Sequence, residues 1–268
     1  MLEKHELVSV FNHTLIDLER GKYVNSAGEE VSLSGTTKLK KKTEFFDKLK
    51  PLSAEQLPKY KETRIYVQNI DTFNKAAEFG PKGVCLNMAS STTRGGGVLH
   101  GSRAQEECLC RRSDLYLSLS EVNYPLPTFG GVYSPGVTVF KDSNYERLDN
   151  PFTTNVISLS ALKHPKLTED GMIERKYLWI LKEKIRAILR IAILHNHSKI
   201  VLGAFGCGAY KCPAKHVAQI FKKVLQEPEF ATSFEEICFA IIEDLNSKRL
   251  DNKEGNLKPF VETFEQDK

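Results

Sequence analysis

Apolar residues recur at helical spacing near the start of the chain. Leu7, Val8, Phe11, Leu15 and Leu18 fall on one face, which predicts an amphipathic helix over residues 5–20, closed by Gly21 at a C-cap position. From Arg64 the pattern changes. Residues 64–70 alternate and are β-rich, predicting a strand, and Asp71-Thr72 then opens a helix through Ala76, Ala77 and Phe79 that Gly80-Pro81 stops. Residues 83–88 form a second predicted strand, followed by a loop of Ser, Thr and Gly and a helix from about 104 to 117. Val137–Phe140 and Asn155–Leu159 are further strand candidates, and Thr168-Glu-Asp is placed to cap a long buried helix through Trp179, Ile185, Leu189 and Ile193. A strand over 199–205 runs into Gly206-Cys207-Gly208. The next helix puts Val217, Ile220, Phe221, Val224 and Leu225 on one face and stops before Pro228, and residues 236–242 make the last strand. Strands alternating with helices indicate an α/β sheet covered on both faces.

Composition narrows the class without changing that picture. The 268 residues are 41% hydrophobic and 27% charged, an ordinary globular profile that excludes disorder, collagen-like repeats and disulfide-stapled miniature domains. The formal net charge of +4 suits an anionic substrate but falls short of a dedicated nucleic-acid binder. The N-terminus lacks a signal-peptide pattern, and no apolar run approaches ~18 residues, so no membrane span and no membrane partner are expected. The cysteines at 85, 108, 110, 207, 212 and 238 form no CxxC pair. Reduced thiols and a cytoplasmic location, or a nuclear one in a eukaryote, are the default. The basic run 38–42 is expected to be a solvated loop.

Two glycine loops follow predicted strands, where open α/β sheets collect ligands. Arg94-Gly95-Gly96-Gly97 leaves no side chains between backbone and a ligand, although an isolated triple glycine is more often a flexible turn. Gly206-Cys207-Gly208-Ala209-Tyr210 precedes a helix N-terminus and would suit a diphosphate, but it is neither a P-loop nor GxGxxG. Between them stands Gln105-Glu106-Glu107 at a predicted helix start. First-turn carboxylates commonly just answer the helix dipole. The alternative is glycosidic chemistry, in which a carboxylic acid protonates a leaving oxygen and then activates water. Neighbouring helical residues point about 100° apart, so one Glu is expected to face the site while the other supports it. The dipole lowers a carboxyl pKa whereas a general acid needs it raised, so desolvation or substrate charge must win. His195-Asn-His197 lacks a third ligand and reads as structural, as does Cys108-Leu-Cys110.

In order and context the combination is specific. Asn87-Met-Ala-Ser90, the triple glycine, seven residues, Gln105-Glu106-Glu107 and finally Gly206-Cys-Gly-Ala-Tyr210 resemble a bacterial-type poly(ADP-ribose) glycohydrolase, a family marked by a triple glycine, a short spacer and Gln-Glu-Glu. Thr14-Leu-x-x-Leu-x-x-Gly21, Asn69-x-Asp71-Thr72 and Tyr133-Ser-Pro135 extend the resemblance along the chain. It implies a macrodomain-like three-layer α/β/α mixed sheet, divided as an N-terminal helical extension (1–60), a catalytic core (61–245) and a polar, loosely packed tail (246–268). It also implies cleavage of ribose–ribose O-glycosidic bonds with release of ADP-ribose. By that analogy Glu107 is the acid and base, Glu106 positions ribose hydroxyls, and Gln105 and Asn87 order the site. Gly95, Gly96 and Gly97 would pass the scissile ribose. Gly206, Cys207, Gly208 and Ala209 would wrap the diphosphate, Tyr210 would pack on a ribose, and Asp71 is the candidate for adenine. The substrate partner is then the polymer or ADP-ribosylated protein. No cofactor or metal is implied, and EDTA is expected to leave activity unchanged. A hydrolase for mono-ADP-ribose and a non-catalytic ADP-ribose reader are the alternatives, the latter disfavoured by the intact Gln-Glu-Glu. Arg94 and Lys211 stand where relatives often have Pro and Gly, and they place charge beside the two loops.

Overall fold

Residues 83–88 are buried along nearly their whole length, as in a parallel strand covered on both faces. The computed structural model describes residues 2–33, 42–243, 252 and 254–265. Five parallel strands form its centre: β4 (Arg64–Gln68), β5 (Gly83–Met88), β7 (Arg147–Leu159), β8 (Lys199–Leu202) and β9 (Glu236–Ala240). β6 (Gly131–Lys141) runs antiparallel to β7, and β3 (Glu44–Phe46) antiparallel to β6, giving the order β3-β6-β7-β5-β8-β9-β4. β1 (Lys22–Val24) and β2 (Glu30–Ser32) form a separate hairpin.

Side chains along β5 and β8 alternate between two apolar clusters. Val84, Leu86, Ile200 and Leu202 face α5 (Arg175–Leu194), α6 (Ala214–Leu225) and α7 (Leu257–Phe264). Cys85 and Val201 face α1 (Lys4–Arg20), α2 (Thr72–Phe79), α3 (Gln105–Arg112) and α4 (Leu115–Ser118). The result is a three-layer α/β/α mixed sheet. Among the described residues no helix is long and apolar enough to cross a membrane.

Several expectations need correction. The predicted helix over 104–117 is broken at Ser113, whose hydroxyl bonds Leu109 O and accepts from Leu115 N while its backbone bridges to Val139. Thr168 does not cap α5. Its hydroxyl closes a turn against Met172, and α5 begins only at Arg175, with Trp179 exposed rather than buried. The N-terminal extension is not purely helical, because it adds the β1–β2 hairpin and contributes β3 to the main sheet. The C-terminal segment is not loose throughout: α7 packs Phe260, fully buried, against Phe221 and Phe239. Of the basic run 38–42, all but Lys42 lies outside the described residues.

The central strands also end earlier than the apolar patterns suggest. Beyond Gln68, Leu202 and Ala240 the chain leaves the sheet, and Ile70, Ala204, Ile241 and Ile242 turn to line a cavity.

Candidate active site

That cavity, about 730 Å³, opens at the C-terminal ends of the parallel strands, a volume fit for a nucleotide-sized ligand. One wall comes from the α1–α4 layer and carries Glu106, Glu107, Gly96 and Gly97. The facing wall comes from the α5–α7 layer and carries Gly206, Gly208, Ala209 and Tyr210.

Gln105 begins α3 and works as a clamp. Its Oε1 accepts from Met88 N at 2.8 Å, and its Nε2 donates to Leu86 O at 2.7 Å and Thr72 Oγ1 at 3.1 Å. The amide thus pairs with the end of β5 beyond its ladder with β8, as a neighbouring strand would, and it fixes the Glu pair to the sheet. Both amide hydrogens are committed, so Gln105 orders the site without offering a donor to a ligand.

The two carboxylates are both buried, but their environments differ. Glu106 Oε2 accepts from Ser90 N at 2.7 Å, and Oε1 from Asn87 Nδ2 at 3.4 Å. Burial pushes the Glu106 carboxyl up to about 8, against the lowering effect of the Ser90, Asn87 and Gly95 donors, and the adjacent Glu107 pushes the same way. Desolvation therefore overrides the helix dipole at this position. Glu107 Oε1 accepts from Gly97 N at 2.8 Å, whereas its Oε2 is buried without a hydrogen-bond partner.

The glycines are required by close approach. At Gly96, with φ of 57°, an added Cβ would lie 2.4 Å from Glu107 Oε1 and 3.0 Å from Glu106 Oε2. At Gly97 it would lie 2.2 Å from Ser102 Oγ. The opposite loop turns at Gly206, with φ of 81°, and a Cβ at Gly208 would meet nothing within 4 Å, so this backbone is open to a ligand. Tyr210 joins the walls, its hydroxyl accepting from Ser91 N at 3.0 Å.

Three expected contact residues stand off the cavity wall. Asn87 is fully buried behind Glu106, donating also to Ser158 Oγ at 3.0 Å, so it supports the carboxylate. Gly95 packs against the Tyr116 ring, and the Cys207 side chain turns inward toward Phe205 O. Asp71 does line the cavity, but its Oδ1 caps α2 through Phe73 N and Asn74 N and pairs with Arg112 at 2.6 Å. Arg94 lies over the Tyr116 ring, 4.0 Å from its centroid, and neither it nor Lys211 lines the cavity. Among the described residues the cations that do are Arg103 and Lys163. Sequence reasoning passed over both: Arg103 is hidden in the spacer, and Lys163 follows a strand with no motif around it. Asn256, just ahead of α7, was also missed and closes one side. His195 and His197 are structural, the first stacked on Tyr133 at 3.6 Å and the second bonded to its hydroxyl at 2.8 Å.

A family model described as microbial-type PARG, catalytic domain, matches residues 12–142. Poly(ADP-ribose) glycohydrolase from Thermomonospora curvata, solved with the inhibitor ADP-HPD, superposes with a TM-score of 0.81 at 27% identity, covering 97% of this chain and 100% of that one. The chain is similar to the bacterial poly(ADP-ribose) glycohydrolases. The glycohydrolase of Deinococcus radiodurans in complex with ADP-ribose is similar too, with a TM-score of 0.71, 27% identity, and 88% and 99% of the two chains covered. No curated protein matches the sequence. The glycohydrolase family match takes in the Glu-bearing wall, while the Gly206–Tyr210 wall lies beyond it.

Proposed function

We propose that the chain hydrolyses the ribose–ribose O-glycosidic bond of poly(ADP-ribose) and releases ADP-ribose, with Glu107 as general acid and base. The observation that carries the assignment is the difference between the two carboxylates. Both oxygens of Glu106 are engaged, whereas Glu107 is held by one oxygen and keeps Oε2 without a partner.

In the first step the proton of Glu107 passes to the departing ribose oxygen, the C–O bond breaks with its electron pair going to that oxygen, and the remaining sugar carries oxocarbenium character. The Glu107 carboxylate then takes a proton from water as the water oxygen bonds to the sugar carbon. Glu106, whose carboxyl burial pushes up to about 8, holds ribose hydroxyls as a neutral group. The open backbone at Gly206–Ala209 receives the diphosphate, and Tyr210 packs on a ribose. The substrate is ADP-ribose polymer, or an acceptor protein that carries it, and the chain works in the cytoplasm.

The test is ADP-ribose release from polymer by wild type, Glu107→Gln and Glu106→Gln. Turnover by wild type with a loss of at least about 100-fold in Glu107→Gln supports the assignment. Full activity in Glu107→Gln sinks it.

A further inference from the structure

The strand order sets the order of parts along the cavity. The Glu pair is clamped to the end of β5, the Gly206–Ala209 loop follows β8, and β9 and β4 lie beyond. Neighbouring strands are about 4.8 Å apart, so the ends of β5 and β4 are separated by about 14 Å. On the glycohydrolase reading, on which the inference below rests, the released unit has its terminal ribose at the acid and its diphosphate at the glycine loop. Adenine then falls at the ends of β9 and β4.

That end of the cavity is apolar. Ile70, Ala240, Ile241 and Ile242 line it, and the segments that carry them are stitched together. Ile241 N donates to Gln68 O at 3.0 Å, and Glu243 N to Asn69 Oδ1 at 3.1 Å. Pockets add to such a lining a few placed polar groups that orient the ligand. Asp71 is engaged elsewhere, since its Oδ1 caps α2 and pairs with Arg112. A carboxylate also has no hydrogen to offer a purine ring nitrogen.

Asn256 has one. It is the N-cap residue of α7, a place where Asn ordinarily accepts from first-turn N–H groups, yet its side chain makes no cap bond. Its Oδ1 accepts instead from Asn252 Nδ2 at 2.8 Å. The residue is only 8% exposed and lines the cavity. α7 is fixed over the same two strands: Phe264 stacks on Phe239 of β9 at 4.7 Å, and Glu265 accepts from Val67 N of β4 at 3.3 Å. With Oδ1 anchored, Nδ2 remains, and among the described residues it donates to none. An amide held in this way presents donors alone, and the ring nitrogens of adenine are acceptors.

We infer that Asn256 donates from Nδ2 to a ring nitrogen of adenine and fixes the base end of the substrate, far from the bond being cut.

Wild type, Asn256→Ala and Asn256→Asp would be titrated by calorimetry with ADP-ribose, with ADP, and with three ADP analogues in which the N1, N3 or N7 atom of the base is replaced by carbon. Melting curves and release of ADP-ribose from polymer would accompany them. Asn256→Asp keeps the size of the side chain and an acceptor for Asn252, and removes the donor. It should weaken ADP-ribose and ADP by the same factor, about fivefold. One carbon analogue should lose about as much with wild type, and Asn256→Asp should bind that analogue no worse than it binds ADP. This arm separates a lost bond from the added negative charge. Unchanged ADP affinity in folded Asn256→Asp, or three analogues that wild type binds like ADP, would overturn the inference. Should Asn256→Ala fail to fold, Asn256→Asp decides, because Asp is well suited to a helix N-cap. Wild type that binds ADP-ribose but releases none from polymer would overturn the glycohydrolase reading, while the titrations still decide the role of Asn256. Wild type that binds neither ADP nor ADP-ribose would overturn both.

Discussion

Gly97 N donates to Glu107 Oε1 at 2.8 Å, so the glycine loop and the acidic helix hold one another across ten positions of the chain. A carboxylate held through one oxygen keeps its direction, and its second oxygen is left for chemistry. Gly96 makes the approach possible, because any side chain there would occupy the space of that carboxylate. The triple glycine is therefore a mould for Glu107.

Gly96→Ala is expected to disturb catalysis far more than folding. The methyl must displace Glu107 Oε1, 2.4 Å away, and misplacing a reacting group by about 1 Å costs on the order of 100-fold in rate. The φ of 57° adds about 1 kcal/mol of backbone strain. Rates of ADP-ribose release and melting curves measured together would check this. A variant with wild-type turnover would contradict the mould.

Glu106 makes a pH signature visible in the ligand-free protein. Folded, it keeps its proton to about 8, whereas the unfolded group loses it near 4.5. The folded state binds more protons between those values, so stability falls as pH rises from about 4.5 to about 8 and is fully retained below that window. Asp114, pushed up to about 7 by burial, adds a slope of the same sign at lower pH. Glu106→Gln should flatten the part that belongs to Glu106, seen by denaturant titrations at pH 5, 6.5 and 8. Identical slopes in both proteins would contradict the raised carboxyl.

Tyr210 differs from phenylalanine at one atom, and that atom crosses the cavity. Tyr210→Phe removes the hydroxyl that accepts from Ser91 N, a bond worth about 1 kcal/mol. Affinity for ADP-ribose is expected to fall about fivefold, with a small drop in Tm. Calorimetry reads the first and a thermal melt the second. Unchanged affinity would mean that the two walls need no bridge.

Phe260→Ala tests whether α7 belongs to the folded unit. The ring is fully buried, with centroids 5.2 Å from Phe239 and 6.4 Å from Phe221. A loss of ~3–5 kcal/mol in urea denaturation is expected, as for other buried aromatics cut to alanine. A loss below about 1 kcal/mol would indicate a helix that merely rests on the surface.

The central strands and the helices between them were legible because burial on two faces leaves long apolar runs and sharp punctuation, as at Asp71, Gly80 and Pro228. The acidic helix and both glycine loops were legible by order and spacing. What escaped detection depends on contacts distant in sequence. β3 is only three residues long and joins the sheet through pairing with β6, which no local pattern announces. α7 follows a polar stretch that masks Phe260. Thr168 failed as a cap because the same hydroxyl chemistry closes turns. Arg94 and Lys211 were singled out for their neighbours in sequence, but the cavity is lined by Arg103 and Lys163, which only the fold brings opposite one another.

The Tyr210–Ser91 bond has a consequence for how the protein could be taken apart. The carboxylate stretch 105–107 and the loop 206–210 come from opposite layers and lie about a hundred positions apart, and Tyr210 of that loop bonds across to Ser91 on the other wall. On the proposed reading, reaction and recognition are separable parts, each encoded by its own length of chain. A break between α4 and β8 would leave one fragment with the carboxylates and the other with the phosphate loop. Activity would return only when the two halves reassociate, so the fold is a natural template for a split reporter of ADP-ribose turnover.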